Sequence, residues 1–165
     1  MAKSKSENNN NFEAFKKYQP PIEQYQIGKK IGNLADFKNL YPTFSFQYLC
    51  LDSSKLAFNN PEIHQKDYQK LFQALNSISK QTYEIISTTK SYHFHDVDFE
   101  KDTLTITAIN FLNQITDKKI DSLREQTPTL YQFKLYQEKR LFGFLGYHGV
   151  FNVVYFDFHQ IYKRK

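Results

Sequence analysis

Between residues 130 and 157 three runs rich in aromatic and β-branched side chains follow one another: Leu130 to Gln137, Arg140 to Tyr147 and Val150 to Asp157. The breaks between them leave room only for tight turns, so the runs fold back on one another as an antiparallel meander. Gly146 and Gly149 flank Tyr147-His148 and supply the positive-φ positions that a tight hairpin needs. Read from Lys139 to Tyr162, the final hairpin delivers a polar His159-x-x-Tyr162 pair to its end.

A chain of 165 residues has room for one domain and one hydrophobic core. With 16 Phe, 12 Tyr and no Trp, large rings do most of the filling, which suits a sheet. The single cysteine, Cys50, excludes an intramolecular disulfide and any cysteine-built metal cluster. It falls in the apolar run Phe44 to Leu51 and reads as a buried structural thiol. There is no secretory pattern and no apolar stretch of about 18 residues. The expectation is a cytoplasmic protein with no membrane partner, no metal and no cofactor.

Charge placement says more than the net +5. From Lys118 to Lys165 nine Lys or Arg face four Asp or Glu, an excess of five, while the rest of the chain balances at 13 against 13. A basic field gathered on one part of a chain attracts polyanions through counterion release. Lys134, Lys139, Lys163, Arg164 and Lys165 are the nucleic-acid-binding candidates.

Upstream, residues 1–11 hold no apolar side chain after Ala2 and are expected to form a disordered, basic and Asn-rich arm. Residues 12–165 are read as a single domain with a helical leader over 12–42: Phe12 to Tyr18 as a short helix ended by Pro20-Pro21, and Leu34 to Leu40 as a helical turn before Pro42. In Thr43 to Leu51, Phe44, Phe46, Tyr48 and Cys50 alternate with Ser45, Gln47 and Leu49, the period of a half-buried strand. Asn60-Pro61-Glu62 has the residues of a helix start, and Tyr68, Leu71, Phe72, Leu75 and Ile78 form an apolar stripe after it. The two periodicities place Tyr48, Leu71, Phe72 and Leu75 in one core.

Gln81 to Thr89 fits a second short helix, Tyr92 to Glu100 a polar aromatic connection, and Asp117 to Gln126 a helix stopped by Thr127-Pro128. Thr103 to Asn113 satisfies a strand pattern in its first half and a helical one in its second. The resulting expectation is an α+β fold. Its mainly antiparallel sheet has one early strand plus a three-strand C-terminal meander, covered on one face by the helix at 61–80.

Three patterns bear on chemistry. His93 and His95 at i and i+2 would share one side of a strand, a metal-ligand geometry if a third ligand arrived from elsewhere, and equally a polar surface strand. Asp96, Asp98, Glu100 and Asp102 alternate with apolar residues as an exposed segment does, and no phosphate-binding glycine loop or serine-nucleophile elbow is present. Arg140 opens the second meander strand and Asp157 closes the third, so strand pairing should bring Arg140 beside Asp157 and His159. RNA cleavage by a 2′-hydroxyl needs a proton acceptor, an acid for the leaving oxygen and cations for the crowded phosphate. Arg140, His159 and Tyr162 are the catalytic candidates for those roles, in a metal-independent endoribonuclease.

At these residues a resemblance appears. Arg140-x-x-Gly143-Phe144, a hairpin, and then Phe151 to His159-x-x-Tyr162 resemble the C-terminal hairpin of RelE-type ribonuclease toxins. The order strand, helix, further helices and three-strand meander is also similar to that fold. The resemblance implies RNA or the ribosome as target and an antitoxin as protein partner. Phe44 to Asp52, His95-x-x-Asp98-Phe99 and Gly143 to Tyr162 together resemble a set of uncharacterised bacterial proteins, which implies no stated activity. The rival expectation is a non-catalytic interaction or accessory module of a mobile-element or defence system.

Overall fold

A computed structural model of the chain describes residues 34–52, 55–100, 104–116, 127–158 and 161. The arm at 1–11, the helix expected at 12–18 and the one expected at 117–126 lie outside them. The strands are β1 (Thr43–Ser45), β2 (His95–Val97), β3 (Leu130–Tyr136), β4 (Lys139–Leu145) and β5 (Val150–Asp157), and the helices α1 (Gln65–Ile78), α2 (Tyr83–Thr88) and α3 (Ala108–Ile115). Short 3-10 turns occupy Leu34–Phe37, Lys90–Tyr92 and Tyr147–Gly149. The fold is α+β, with one open sheet in the order β1-β5-β4-β3-β2.

The meander forms as its sequence requires, with β3 against β4 and β4 against β5, both antiparallel. Its last turn uses the left-handed region at His148 (φ 56°) and Gly149 (φ 73°), whereas Gly146 is extended. Gly146 is needed for a different reason: a Cβ there would lie 2.5 Å from Asn152 Nδ2. Between Phe142 and Gly143 the register shifts, leaving Val154 as the extra residue of a bulge.

The early strand departs from expectation. β1 covers only Thr43 to Ser45 and runs parallel to β5, pairing Thr43 with Val150 and Ser45 with Asn152. The chain then leaves the sheet, exposing Phe46 and Leu51, and touches it again where Cys50 N–H donates to the Val154 carbonyl at 2.8 Å. Alternation in residues 44–51 is thus not one strand but two short approaches to β5. Cys50 itself is buried, and its thiol donates to Asp52 Oδ1 at 3.0 Å.

At the opposite edge lies a strand that the polarity of residues 92–100 conceals, β2, pairing His95 with Gln132 and Val97 with Leu130. His93 is outside it, in the left-handed region at φ 42°, so the two histidines do not share a strand face. His95 Nδ1–H donates to the Asp96 carbonyl at 2.7 Å, leaving Nε2 to accept from Gln132 Nε2 at 2.6 Å. Among the described residues no group of three His, Cys, Asp or Glu could hold a metal ion.

α1 begins four residues later than Pro61. Asn60 caps the preceding turn, accepting from Glu62 N–H at 2.9 Å, while the Asp67 carboxylate accepts from His64 N–H at 3.0 Å at the helix start. The buried stripe of α1 is Leu71, Leu75 and Ile78, with Tyr68 half-buried beside it. Phe72 is 58% exposed and is no core residue. It sits one residue, a 100° turn, past Leu71 and off the edge of the stripe.

The helix α1 covers one face of the sheet as expected, and the other face is covered as well. Tyr131, Phe133, Leu141, Phe151, Val153 and Phe156 pack with Leu71, Leu75, Ile78, Tyr83 and Ile86 of α1 and α2. Leu130, Phe142, Phe144 and Val154, their alternating neighbours, pack with Phe111, Leu112 and Ile115 of α3. Tyr48 joins this second layer, its ring 5.3 Å from that of Phe144, so it shares no core with Leu71 and Leu75. Thr107 caps α3, its hydroxyl accepting from Asn110 N–H at 3.2 Å, which resolves the ambiguity of residues 103–113 toward a helix from Ala108.

Candidate nucleic-acid interface

The tip of the β3–β4 hairpin gathers the described cations of the basic end. Register places Lys134 opposite Arg140, and Arg140 opposite Asp157, as strand pairing demands. A second shift, between Lys134 and Tyr136, brings Tyr136 opposite Lys139. Gln137 takes φ 47° to close the turn. Successive residues point to opposite faces, so Arg140 lies on the α3 face with Lys134, while Lys139 lies on the α1 face with Tyr136.

On the α3 face Glu138 holds the cations loosely. Its carboxylate is 4.0 Å from Lys134 Nζ and 3.8 Å from Arg140 Nη2, and Arg140 Nη1 donates to the Glu138 carbonyl at 3.3 Å. Glu138 is well exposed, so these pairs are screened and contribute little to stability. Asp157 is fully buried, and its Oδ1 accepts from Ile161 N–H at 3.2 Å. One acid therefore faces inward and the other is shared between two cations.

The α1 face of the same tip alternates cations and rings. Lys70 Nζ, from α1, lies 5.3 Å from the centre of the Tyr136 ring. Lys139 Nζ lies 3.5 Å from the centre of the Phe158 ring. Tyr136 is held in place by its hydroxyl, which donates to Asp67 Oδ1 at 3.0 Å. Burial first and the Asp67 carboxylate second raise the Tyr136 pKa, keeping it a neutral donor. Burial works to raise that of Asp67, yet it is lowered by the His64 N–H, the Tyr136 hydroxyl and the charge of Lys139.

Of the residues singled out from sequence, the structure brings Lys134, Lys139 and Arg140 to one end of the sheet. His159, Tyr162, Lys163, Arg164 and Lys165 lie outside the described residues. Lys70, Tyr136 and Phe158 were missed, because their pairing depends on a helix meeting a hairpin and on strand register, neither of which leaves a local pattern. An open cleft of about 750 Å³ elsewhere, between β2 and the start of α3, is lined by Asp96, Asp98 and Glu100 over apolar Val97 and Leu130. Its acid lining repels a polyanion.

The chain belongs to a protein family described as Uncharacterised protein UU032, whose family model matches residues 45–165. No curated protein and no solved structure matches it. Among the described residues no helix is long and apolar enough to cross a membrane.

Proposed function

We propose that the protein binds RNA at the tip of the β3–β4 hairpin. The observation that carries this reading is the register that sets Lys134 against Arg140 and Lys139 against Tyr136, with Lys70 of α1 over the same tyrosine. Three lysines and the mostly buried Arg140 thereby gather at one end of the sheet, where the described acids are buried (Asp157), bound to a tyrosine (Asp67) or shared (Glu138). Such a field gives affinity through counterion release and carries no sequence preference of its own. Binding of a generic RNA strand should weaken steeply with salt, and Lys134→Ala with Lys139→Ala should flatten the dependence by about one unit per phosphate contact removed. Absence of binding even at low ionic strength rejects the reading.

Cleavage is its narrower form, supported by the likeness of the final hairpin to RelE-type toxins. Arg140 would neutralise the crowded phosphate, with His159 and Tyr162 moving the protons. RNA or ribosome-bound message should then be cut, and His159→Ala or Arg140→Ala should slow cutting by at least about tenfold. If folded variants keep full activity, or the native chain cuts nothing, binding without cleavage is what remains. If RNA is not bound at all, a protein-interaction role through exposed rings such as Tyr41, Phe72 and Tyr147 takes its place.

A further inference from the structure

The α1 face of the hairpin tip carries a row in which rings and cations alternate: Lys70, Tyr136, Lys139, Phe158. Tyr136 ends β3, Lys139 opens β4 and Phe158 follows β5. The two rings are thus separated by two inter-strand spacings, about 10 Å, with the Lys139 stem between them. Neither ring is consumed by the core. Both are partly buried at its margin, Phe158 against Phe156 with centroids 5.1 Å apart, and each has a lysine ammonium over a face. The group over each of these faces is thus a long, flexible side chain that can move aside.

We infer that the RNA taken at this site is single-stranded, its unpaired bases stacking on Tyr136 and Phe158 while Lys70 and Lys139 move from the rings to the flanking phosphates. The inference rests on the RNA-binding reading and narrows it to one ligand class. The exchange is favourable on both sides. A base presents a larger flat surface to a ring than an ammonium does, and an exposed cation–ring contact is among the weaker ones. The displaced ammonium gains a full anionic partner. Tyr136 is set up for this role, since its hydroxyl bond to Asp67 fixes the ring plane before any base arrives. A duplex cannot use the row, because its bases are already stacked on one another and A-form grooves do not offer their faces.

The test compares a short, end-labelled oligoadenylate with its duplex on oligouridylate, by fluorescence anisotropy, on the full chain at low and moderate salt. Single-stranded RNA should bind at least about tenfold tighter than the duplex. Phe158→Leu and Tyr136→Leu should each lower single-strand affinity by about tenfold with the salt slope unchanged, Phe158→Tyr should retain it, and Lys139→Ala should flatten the slope. Melting temperatures measured alongside identify any variant that fails to fold, in which case the strand-to-duplex ratio of the native chain decides alone. Equal affinity for strand and duplex, or folded leucine variants that bind as the native chain does, overturns the stacking inference and leaves electrostatic RNA binding standing. Failure to bind either RNA overturns the binding reading itself.

Discussion

The hydroxyl of Tyr83 donates to the carbonyl of Gly149 at 2.7 Å across 66 residues of sequence, tying the start of α2 to the turn between β4 and β5. Both groups are buried, so the carbonyl has no water to fall back on. Tyr83→Phe should cost about 1–3 kcal/mol in denaturant unfolding, the penalty of a stranded buried acceptor. A loss below about 0.5 kcal/mol would show that the turn relaxes to find another donor.

Alkaline pH should destabilise the fold through the same residue. Burial pushes the pKa of Tyr83 well above the ordinary 10.0, and it does so for Tyr155 too, with Cys50 and Asp52 adding to the effect. The unfolded chain releases these protons from about pH 10 while the native chain keeps them, so stability is whole below that pH and falls as pH rises above it. Each tyrosine contributes at most about 1.4 kcal/mol per pH unit. Urea midpoints followed from about pH 8 to 11 should drop at the upper end, and Tyr83→Phe should make the drop shallower.

On α1 two adjacent positions should behave oppositely. Leu71 is 1% exposed and sits in the centre of the buried stripe, so Leu71→Ala should destabilise by about 2–5 kcal/mol. Phe72, one residue on, faces solvent, and Phe72→Ala should change stability by no more than about 0.5 kcal/mol. Equal losses at the two sites would mean that the helix is rotated from the orientation described.

Gly143 tolerates no side chain. A Cβ there would run into the Asn152 carbonyl and lie 2.6 Å from Phe151 Cε1, with backbone on one side and a fully buried ring on the other. Gly143→Ala should cost about 1–3 kcal/mol or more, read as a lowered melting temperature with the β4–β5 pairing disturbed.

Asn152 should show the reverse. It is fully buried on β5, and neither atom of its carboxamide has a hydrogen-bond partner among the described residues. Replacing an unsatisfied buried amide by an apolar group of similar size is neutral or favourable. Asn152→Val should therefore leave stability unchanged or raise it by about 1 kcal/mol in urea unfolding. A loss greater than about 1 kcal/mol would show that the amide is held by an interaction the geometry does not reveal.

What could be read from sequence follows from how local each determinant is. The meander was legible because each of its strands carries its own β pattern and the turns are too short to permit any other pairing. α1 was legible as a helix, but Leu71 and Phe72 both fit its apolar spacing, and only packing against β3 chooses between them. β1 and β2 are three residues each, too short for a period of two to stand out, and they exist because β5 and β3 offer them an edge. The interface divides the same way: Lys134, Lys139 and Arg140 announce themselves by position on the hairpin. The partnership of Lys139 with Phe158, 19 positions apart, exists only once β5 has paired with β4.

The place of β5 between β1 and β4 sets the order of events during synthesis. Thr43 leaves the ribosome long before Val150, its pairing partner roughly 100 residues downstream, and until then β1 has no strand to join. Contacts of such long range are slow to form, because the chain between them loses its freedom before the pairing repays it. The last strand of the meander is thus the keystone of the sheet. A nascent chain that has not yet released β5 can hold only the pairings of β2, β3 and β4 within the sheet, which is complete once β5 has joined both β4 and β1.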